Sequence, residues 1–126
     1  MTVPSEMDDV SSQKDFSAFT FTLDSDDMAV FGLKESFDEL GTTELTLQDY
    51  AKLVMDANNL DGFATERSNY PYYYFRYTKD TDEGIYRYLG AVYQAKDGFW
   101  MIQIAAPMVE YDETAFFEYL DTVTVS

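Results

Sequence analysis

The chain contains no cysteine and no histidine. Without cysteine it cannot form a disulfide, a thiol nucleophile or a cysteine-ligated zinc site. Without histidine it lacks the usual general base, the usual imidazole metal ligand and every serine–histidine–aspartate triad. These absences remove most of the common catalytic centres, so we expect a protein that is not an enzyme and uses no cofactor.

Positive charge is also scarce, since 8 Lys and Arg residues stand against 24 Asp and Glu residues and leave a net charge of −16. A field of that sign repels phosphate backbones and anionic bilayers, so nucleic acid is not an expected partner. No stretch reaches the roughly 18 apolar residues of a membrane-spanning helix. The expected partner is an unknown protein or a component of the cell envelope, and solubility is the simplest explanation of the charge.

The length and composition predict one folded domain. The chain has 126 residues, of which 46% are hydrophobic and 17% aromatic. A domain of this size buries roughly two-thirds of the surface that its unfolded chain exposes, so it needs no metal or disulfide to fold. We assign residues 1–126 to a single domain and residues 1–15 to an N-terminal extension.

The first half of the chain predicts a hairpin followed by a helix. The alternation of "FTFTL" predicts a strand from Phe19 to Leu23, and "MAVFGLKESF" predicts a second strand after the acidic turn "DSDD". The clearest helix is "LTLQDYAKLVMDA", which has apolar residues at helical spacing. Thr46 is its expected N-cap, with Asp49 three residues later as in a capping box.

The second half predicts a three-stranded meander and a final helix. The strands cover residues 72–78, 84–95 and 99–107. Between the last two, Asp97-Gly98 predicts a two-residue hairpin turn in which both residues have positive φ. Asp112 is the expected N-cap of the last helix. This order of elements predicts an α+β fold in which helices flank an antiparallel sheet.

Six aromatic rings fall within "YPYYYFRY", which begins at Tyr70. Period-two alternation places rings on both faces of the predicted sheet, so we expect both faces to be covered rather than one left in water. Packing within the sheet is the favoured interpretation of these rings. The alternative is a cleft for a sugar, a peptide or another small molecule, with four candidate ligand-binding residues: Tyr72, Tyr74, Tyr86 and Tyr88.

Two acidic turns are candidate sites for a divalent cation. The first contains Asp24, Asp26 and Asp27, and the second contains Asp80 and Asp82. Calcium takes oxygen ligands, but the glycine and glutamate of an EF-hand loop do not fall at the required positions here. Acidic residues are also common in ordinary turns, which is the favoured interpretation. A hydrolase with paired carboxylates is a third alternative, although nothing in the sequence singles out such a pair.

Two stretches carry a resemblance to a known family. Leu45-Thr46-Leu47 followed by Tyr50-Ala51 is similar to the helix entry of the PsbP-like fold, and the aromatic C-terminal helix ending in Val123 is similar to the closing helix of that fold. That family includes the photosystem subunit PsbP, the Ran-binding Mog proteins and bacterial envelope proteins. The resemblance implies an α/β/α sandwich and a non-catalytic accessory or binding module, often secreted or lipid-anchored, and it transfers no functional residue.

Together these observations favour one functional class. We expect a non-enzymatic, extracytoplasmic binding or accessory domain, which would be the mature part of a secreted or lipid-anchored bacterial protein. The alternative is a small-ligand or divalent-cation binding protein that uses the tyrosine-rich sheet face or the acidic turns.

Overall fold

The computed structural model describes residues 8–9, 21–24, 28–41, 44–123 and 125. They form seven strands, namely β1 (Asp8–Asp9), β2 (Phe21–Asp24), β3 (Ala29–Ser36), β4 (Thr65–Glu66), β5 (Tyr72–Thr81), β6 (Gly84–Gln94) and β7 (Gly98–Pro107). The helices are α1 (Phe37–Leu40), α2 (Leu47–Ala57) and α3 (Glu113–Asp121). The strands build one antiparallel sheet in the order β1-β2-β3-β7-β6-β5-β4. The expected α+β class with an antiparallel sheet is therefore confirmed.

Helix α2 begins where the sequence predicts. The hydroxyl of Thr46 accepts a hydrogen bond from the Asp49 backbone N–H at 3.1 Å, and the Asp49 carboxylate accepts one from the Thr46 N–H at 3.1 Å. This reciprocal pair satisfies two backbone donors that the first helical turn leaves open. The side chain of Asp112 likewise accepts from the Ala115 N–H and caps α3. Both predicted N-caps are confirmed.

Helix α2 packs on one face of the sheet. Its buried residues are Tyr50, Ala51, Val54 and Met55, and they meet Phe75, Val92, Phe99 and Met101 of the strands. The rings of Tyr50 and Phe99 stack at 4.5 Å with an interplanar angle of 8°. The Tyr50 hydroxyl donates to the Glu35 carboxylate at 2.8 Å, so this buried phenol keeps a polar partner.

Helix α3 packs on the opposite face. Its Phe116 and Leu120 contact buried residues that include Val30, Leu89, Ala91, Tyr93, Ile102 and Ile104. The Tyr93 hydroxyl donates to the Leu120 carbonyl at 2.8 Å and joins the sheet to the helix. The expectation that rings on both faces would be covered is thus confirmed for the parts of the sheet that lie under α2 and α3.

A polar cluster attaches the end of α3 to the start of β5. The Asp121 carboxylate accepts from Arg67 at 2.9 and 3.2 Å and from the Tyr72 hydroxyl at 2.5 Å. Burial raises the pKa of Asp121, but the bonds from Arg67 and Tyr72 and the Arg67 charge outweigh it, so the net pKa is lowered. The carboxylate is therefore ionised at neutral pH and holds two segments that are far apart in sequence.

The turn between β6 and β7 differs from the prediction. The hairpin is present, but neither Asp97 nor Gly98 has a positive φ, so the predicted turn type is wrong. Gly98 is the first residue of β7 and pairs with Ser36 of β3. A Cβ at Gly98 would collide with the Glu35 carbonyl oxygen, so close approach of the β3 backbone explains this glycine.

Three short elements were not predicted, namely β1, β4 and α1. Helix α1 nevertheless has a local signal, because Ser36 and Glu39 form a second capping box. Strand β5 also runs to Thr81, which pairs with Gly84 across a turn shorter than expected. Of the predicted first strand, Phe19 and Thr20 lie outside the described residues.

Candidate functional site

Helix α2 covers only part of its sheet face, and the rest forms a cleft of about 450 Å³. We call this cleft the tyrosine groove and define it by Phe31, Tyr77, Lys79, Tyr86, Tyr88 and Gln103, which line it from four strands. Its volume falls within the range of roughly 300–1,000 Å³ that is usual for small-molecule sites. Its surface is mainly apolar, with a few polar groups.

Small residues form the floor of the groove. The strand register aligns one row of side chains across β2, β3, β7, β6 and β5, namely Asp24, Ala29, Ala105, Tyr88 and Tyr77. The two alanines occupy the middle of this row, between an exposed carboxylate and the larger tyrosine rings. The methyl side chains of the two alanines extend only a short way from the sheet. The groove is therefore deepest between Asp24 and Tyr88.

An aromatic wall bounds the groove on the β5–β6 side. The rings of Tyr77 and Tyr88 stack at 4.7 Å with an interplanar angle of 9°. Phe31 meets Tyr88 edge to face, with ring centroids 6.3 Å apart. Aromatic pairs in these geometries contribute roughly 0.5–1.5 kcal/mol beyond area burial, so the wall is held in place before any ligand arrives.

The polar groups of the groove are fixed by burial and hydrogen bonding. Gln103 is 3% exposed, and its side-chain oxygen accepts a hydrogen bond from the Tyr77 hydroxyl at 2.5 Å. Burial raises the pKa of Tyr77, the repulsion that its phenolate would meet from a phenolate of Tyr88 raises it further, and the bond to Gln103 opposes both. Burial also raises the pKa of Tyr88. These phenols are therefore neutral at physiological pH and can bind a ligand but not act as bases.

Lys79 supplies a positive charge at the rim. Its ammonium group lies 5.4 Å from the centroid of the Tyr88 ring and 5.7 Å from that of Tyr77. These distances fit cation–π contacts. Within the described part of the chain Lys79 forms no ion pair. The groove thus offers an ammonium group at one end and the Asp24 carboxylate at the other.

The structure divides the four predicted tyrosines between the two faces of the sheet. Tyr86 and Tyr88 line the tyrosine groove. Tyr72 is 1% exposed under α3, and Tyr74 packs against Phe117 of α3 with ring centroids 4.8 Å apart. The pairing of β5 with β6 explains this division. Thr81 pairs with Gly84, so every even-numbered residue of β5 lies opposite an odd-numbered residue of β6, and directly paired residues point to the same face. The even-numbered tyrosines of β5 and those of β6 therefore point to opposite faces.

The acidic turns do not come together among the described residues. Asp24 is exposed at one end of the tyrosine groove, while Asp26 and Asp27 lie outside the described residues. Asp80 and Asp82 are exposed at the β5–β6 turn. In the ranges that the structure describes, no three Asp or Glu residues converge as a metal site requires. A cation site at these turns stays a prediction.

Sequence reasoning missed Gln103 and Lys79. Gln103 has a signal, because it is the one polar side chain within the apolar run "FWMIQIAA" of β7. A buried amide in such a strand needs a hydrogen-bonding partner, which here is Tyr77. Lys79 has no comparable signal, since its place beside Tyr88 depends on the β5–β6 register.

In comparisons with known proteins, the chain matches no family model, no curated protein and no solved structure. The resemblance to the PsbP-like family therefore stays a prediction. Within the described ranges, no helix has both the length and the apolar character that crossing a bilayer requires.

Proposed function

We propose that this chain is a non-enzymatic binding domain whose ligand site is the tyrosine groove. The observation that carries the proposal is the groove itself, a concave and mainly apolar cleft of about 450 Å³ with an ordered aromatic wall. Such a cleft, with a few fixed polar groups, is the usual form of a small-molecule site.

The chemistry of the groove favours a ligand with an apolar face and hydrogen-bonding groups, such as a sugar or a short peptide. The apolar face would lie on the tyrosine rings and the two alanines of the floor. Gln103 and the tyrosine hydroxyls would bind hydroxyl or amide groups, and Lys79 would attract a carboxylate. A catalytic role has less support, because the titratable groups here are neutral phenols, one lysine and one exposed aspartate.

Ligand-observed NMR against monosaccharides, disaccharides and di- and tripeptides tests the proposal. We expect at least one of these probes to bind the wild-type protein and to lose binding by tenfold or more in Tyr88→Ala. The reason is that the variant removes the centre of the aromatic wall and its contacts with Phe31 and Tyr77. Fully burying a large apolar side chain contributes roughly 1.5–3 kcal/mol, and a tenfold loss of affinity corresponds to about 1.4 kcal/mol, so losing the Tyr88 contact is enough for the expected effect.

Tyr70→Ala is the matched control, because Tyr70 is an exposed tyrosine that does not line the groove. It should leave binding unchanged, and circular dichroism should show that both variants stay folded. If no probe binds wild type at millimolar concentration, or if Tyr70→Ala weakens binding as much as Tyr88→Ala, the groove is not the site.

The location and the family are part of the same proposal. We propose that the domain belongs to a secreted or lipid-anchored protein, and its acidic composition and the absence of cysteine and histidine support this proposal. The placement of one helix on each sheet face supports the α/β/α sandwich of the PsbP-like fold. Fractionation of cells that express the native gene tests the location, and recovery of the protein in the cytoplasm would contradict it.

A further inference from the structure

Strand β5 has a long edge that no described strand occupies. On one side it pairs with β6 along its whole length, from Tyr72 to Thr81. On the other side β4 pairs only with Tyr73 and Tyr74. Residues 75–81 therefore present a free edge within the described part of the chain. Such an edge is a template for another strand.

The direction of the backbone groups along this edge follows from one hydrogen bond. The carbonyl of Tyr72 accepts from the Arg67 N–H at 3.0 Å and so points away from β6. Because backbone groups alternate along a strand, those of Arg76, Thr78 and Asp80 also point outward. These three residues can donate to and accept from an added strand.

We propose that the added strand is β5 of a second copy of this chain, paired antiparallel about a two-fold axis at Thr78. The free edge runs from residue 75 to residue 81, and Thr78 is its midpoint. Only this register lets the two free edges overlap along their full length. In this register the outward-pointing backbone N–H and C=O groups of Arg76, Thr78 and Asp80 lie opposite the same groups of the second copy. The two strands can therefore form the paired hydrogen bonds of an antiparallel ladder.

In this register the side chains along the free edge of one copy are complementary in charge to those of the other copy. On the α3 face, Arg76 of each copy lies opposite Asp80 of the other, so two pairs of opposite charge form across the seam. Opposite charges directly across a ladder are favourable, whereas like charges are not. Asp80 forms no ion pair among the described residues. Arg76 is bonded to Glu113 of its own chain at 2.8 and 3.1 Å, but its side chain is still 55% exposed and can face a second carboxylate.

On the other face, Tyr77 of each copy lies opposite Lys79 of the other. Within one chain the Lys79 ammonium already lies 5.7 Å from the Tyr77 ring centroid, so the same cation–π contact can form across the seam. Shifting the two-fold axis by one residue to Lys79 would place the two lysines opposite each other. The charge pattern therefore selects Thr78 over Lys79 as the centre.

The second copy would extend the tyrosine groove. Tyr77 and Lys79 line the groove and lie next to the seam. The grooves of the two copies would open on the same face of one continuous sheet and would meet at their aromatic walls. The dimer does not require that the groove bind a ligand, so the two proposals can fail separately.

Sedimentation velocity over a wide concentration range tests the dimer, at about 0.15 M salt so that the charge of −16 per chain is screened beyond about 8 Å. We expect the average mass to rise reversibly from monomer to dimer. Thr78→Pro should weaken the association tenfold or more, because it removes a donor at the centre of the seam. Proline is tolerated at an edge position whose N–H faces outward, so the monomer should stay folded.

A charge swap tests the register. Asp80→Arg should weaken the dimer by placing two arginines opposite each other, whereas Asp82→Arg, the same change of charge at an exposed position beyond the free edge, should leave the association unchanged. A wild-type chain that stays monomeric at millimolar concentration would overturn the proposal. So would a folded Thr78→Pro variant that associates like wild type, or an Asp82→Arg variant that weakens the dimer as much as Asp80→Arg.

Discussion

Gly98→Ala is expected to lower the free energy of unfolding by about 3 kcal/mol, at the upper end of the cost of overpacking. A Cβ at this position would collide with the Glu35 carbonyl oxygen and would lie 2.7 Å from the Ser36 Cα. Both obstacles are backbone atoms of the paired strand β3, so no side chain can rotate to make room. The pairing of β3 with the start of β7 would have to open.

The region around Gly98 has little freedom to relax. Its carbonyl accepts a hydrogen bond from the Ala95 N–H at 2.9 Å, and the carbonyl of Asp97 accepts from the Phe37 N–H at 2.9 Å. Phe99, the next residue, is fully buried against Tyr50. A shift of the strand would therefore disturb the turn, the start of α1 and the core under α2 together.

Urea denaturation at pH 7 measures this effect. Lys96→Ala is the matched control, since Lys96 is exposed in the same turn and its substitution should change stability by less than about 0.5 kcal/mol. Against a total stability of roughly 5–15 kcal/mol, the expected loss for Gly98→Ala is easily resolved. A Gly98→Ala protein as stable as Lys96→Ala would mean that the two strands do not approach as closely as described.

Asp121→Asn is expected to lower the free energy of unfolding by about 2 kcal/mol at pH 7, the scale of a hydrogen bond to a charged group when one partner, here Tyr72, stays buried. The carboxylate side chain is 12% exposed and accepts three hydrogen bonds, two from Arg67 and one from the buried Tyr72. The amide keeps the volume of the side chain but cannot satisfy both partners. Glu118→Gln is the matched control, because it removes one negative charge from an exposed position of α3.

The pH dependence of Asp121→Asn has a definite sign. The pKa of Asp121 is lowered below its ordinary value of 3.8 in the folded protein. The ionised carboxylate of Asp121 therefore makes its full contribution to the free energy of unfolding above pH 3.8. That contribution is lost as the pH falls through the lower pKa of the folded state. The stability difference between wild type and Asp121→Asn should be constant from pH 7 to pH 5 and should shrink below pH 4. A difference that stays the same at pH 3 would show that the charge of Asp121 is not what stabilises the cluster.

Local signals were sufficient for the helices. Thr46 with Asp49 and Asp112 with Ala115 confirm the two predicted N-caps, because a cap involves residues within one turn of each other. The Ser36–Glu39 capping box is equally local, but it opens a helix of only four residues at the end of a strand, which is too short to show helical periodicity. Helix ends in this chain are decided by chemistry that can be read from neighbouring residues.

The tyrosine groove could be predicted only in part. Period-two alternation by itself separates Tyr73, Phe75 and Tyr77 from Tyr72 and Tyr74, and in the structure the first three lie on the α2 face and the other two on the α3 face. It could not relate those faces to the faces of β6, because that depends on the pairing set by the turn at Thr81 and Gly84. The sequence therefore predicts Tyr72 and Tyr88 as residues of one cleft, whereas the structure places them on opposite faces of the sheet.

The sequence by itself determined the class of fold, the two N-caps and the absence of cysteine and histidine, because each of these depends on composition or on residues close together in the chain. The tertiary structure alone decided why Gly98 is a glycine and which side chains form the groove. Both are matters of distance between strands, set by hydrogen-bond register across the sheet. The strand pairing places Lys79, Tyr88, Gln103 and Phe31 next to one another although they lie on four different strands. No pattern of neighbouring residues in the sequence predicts that proximity.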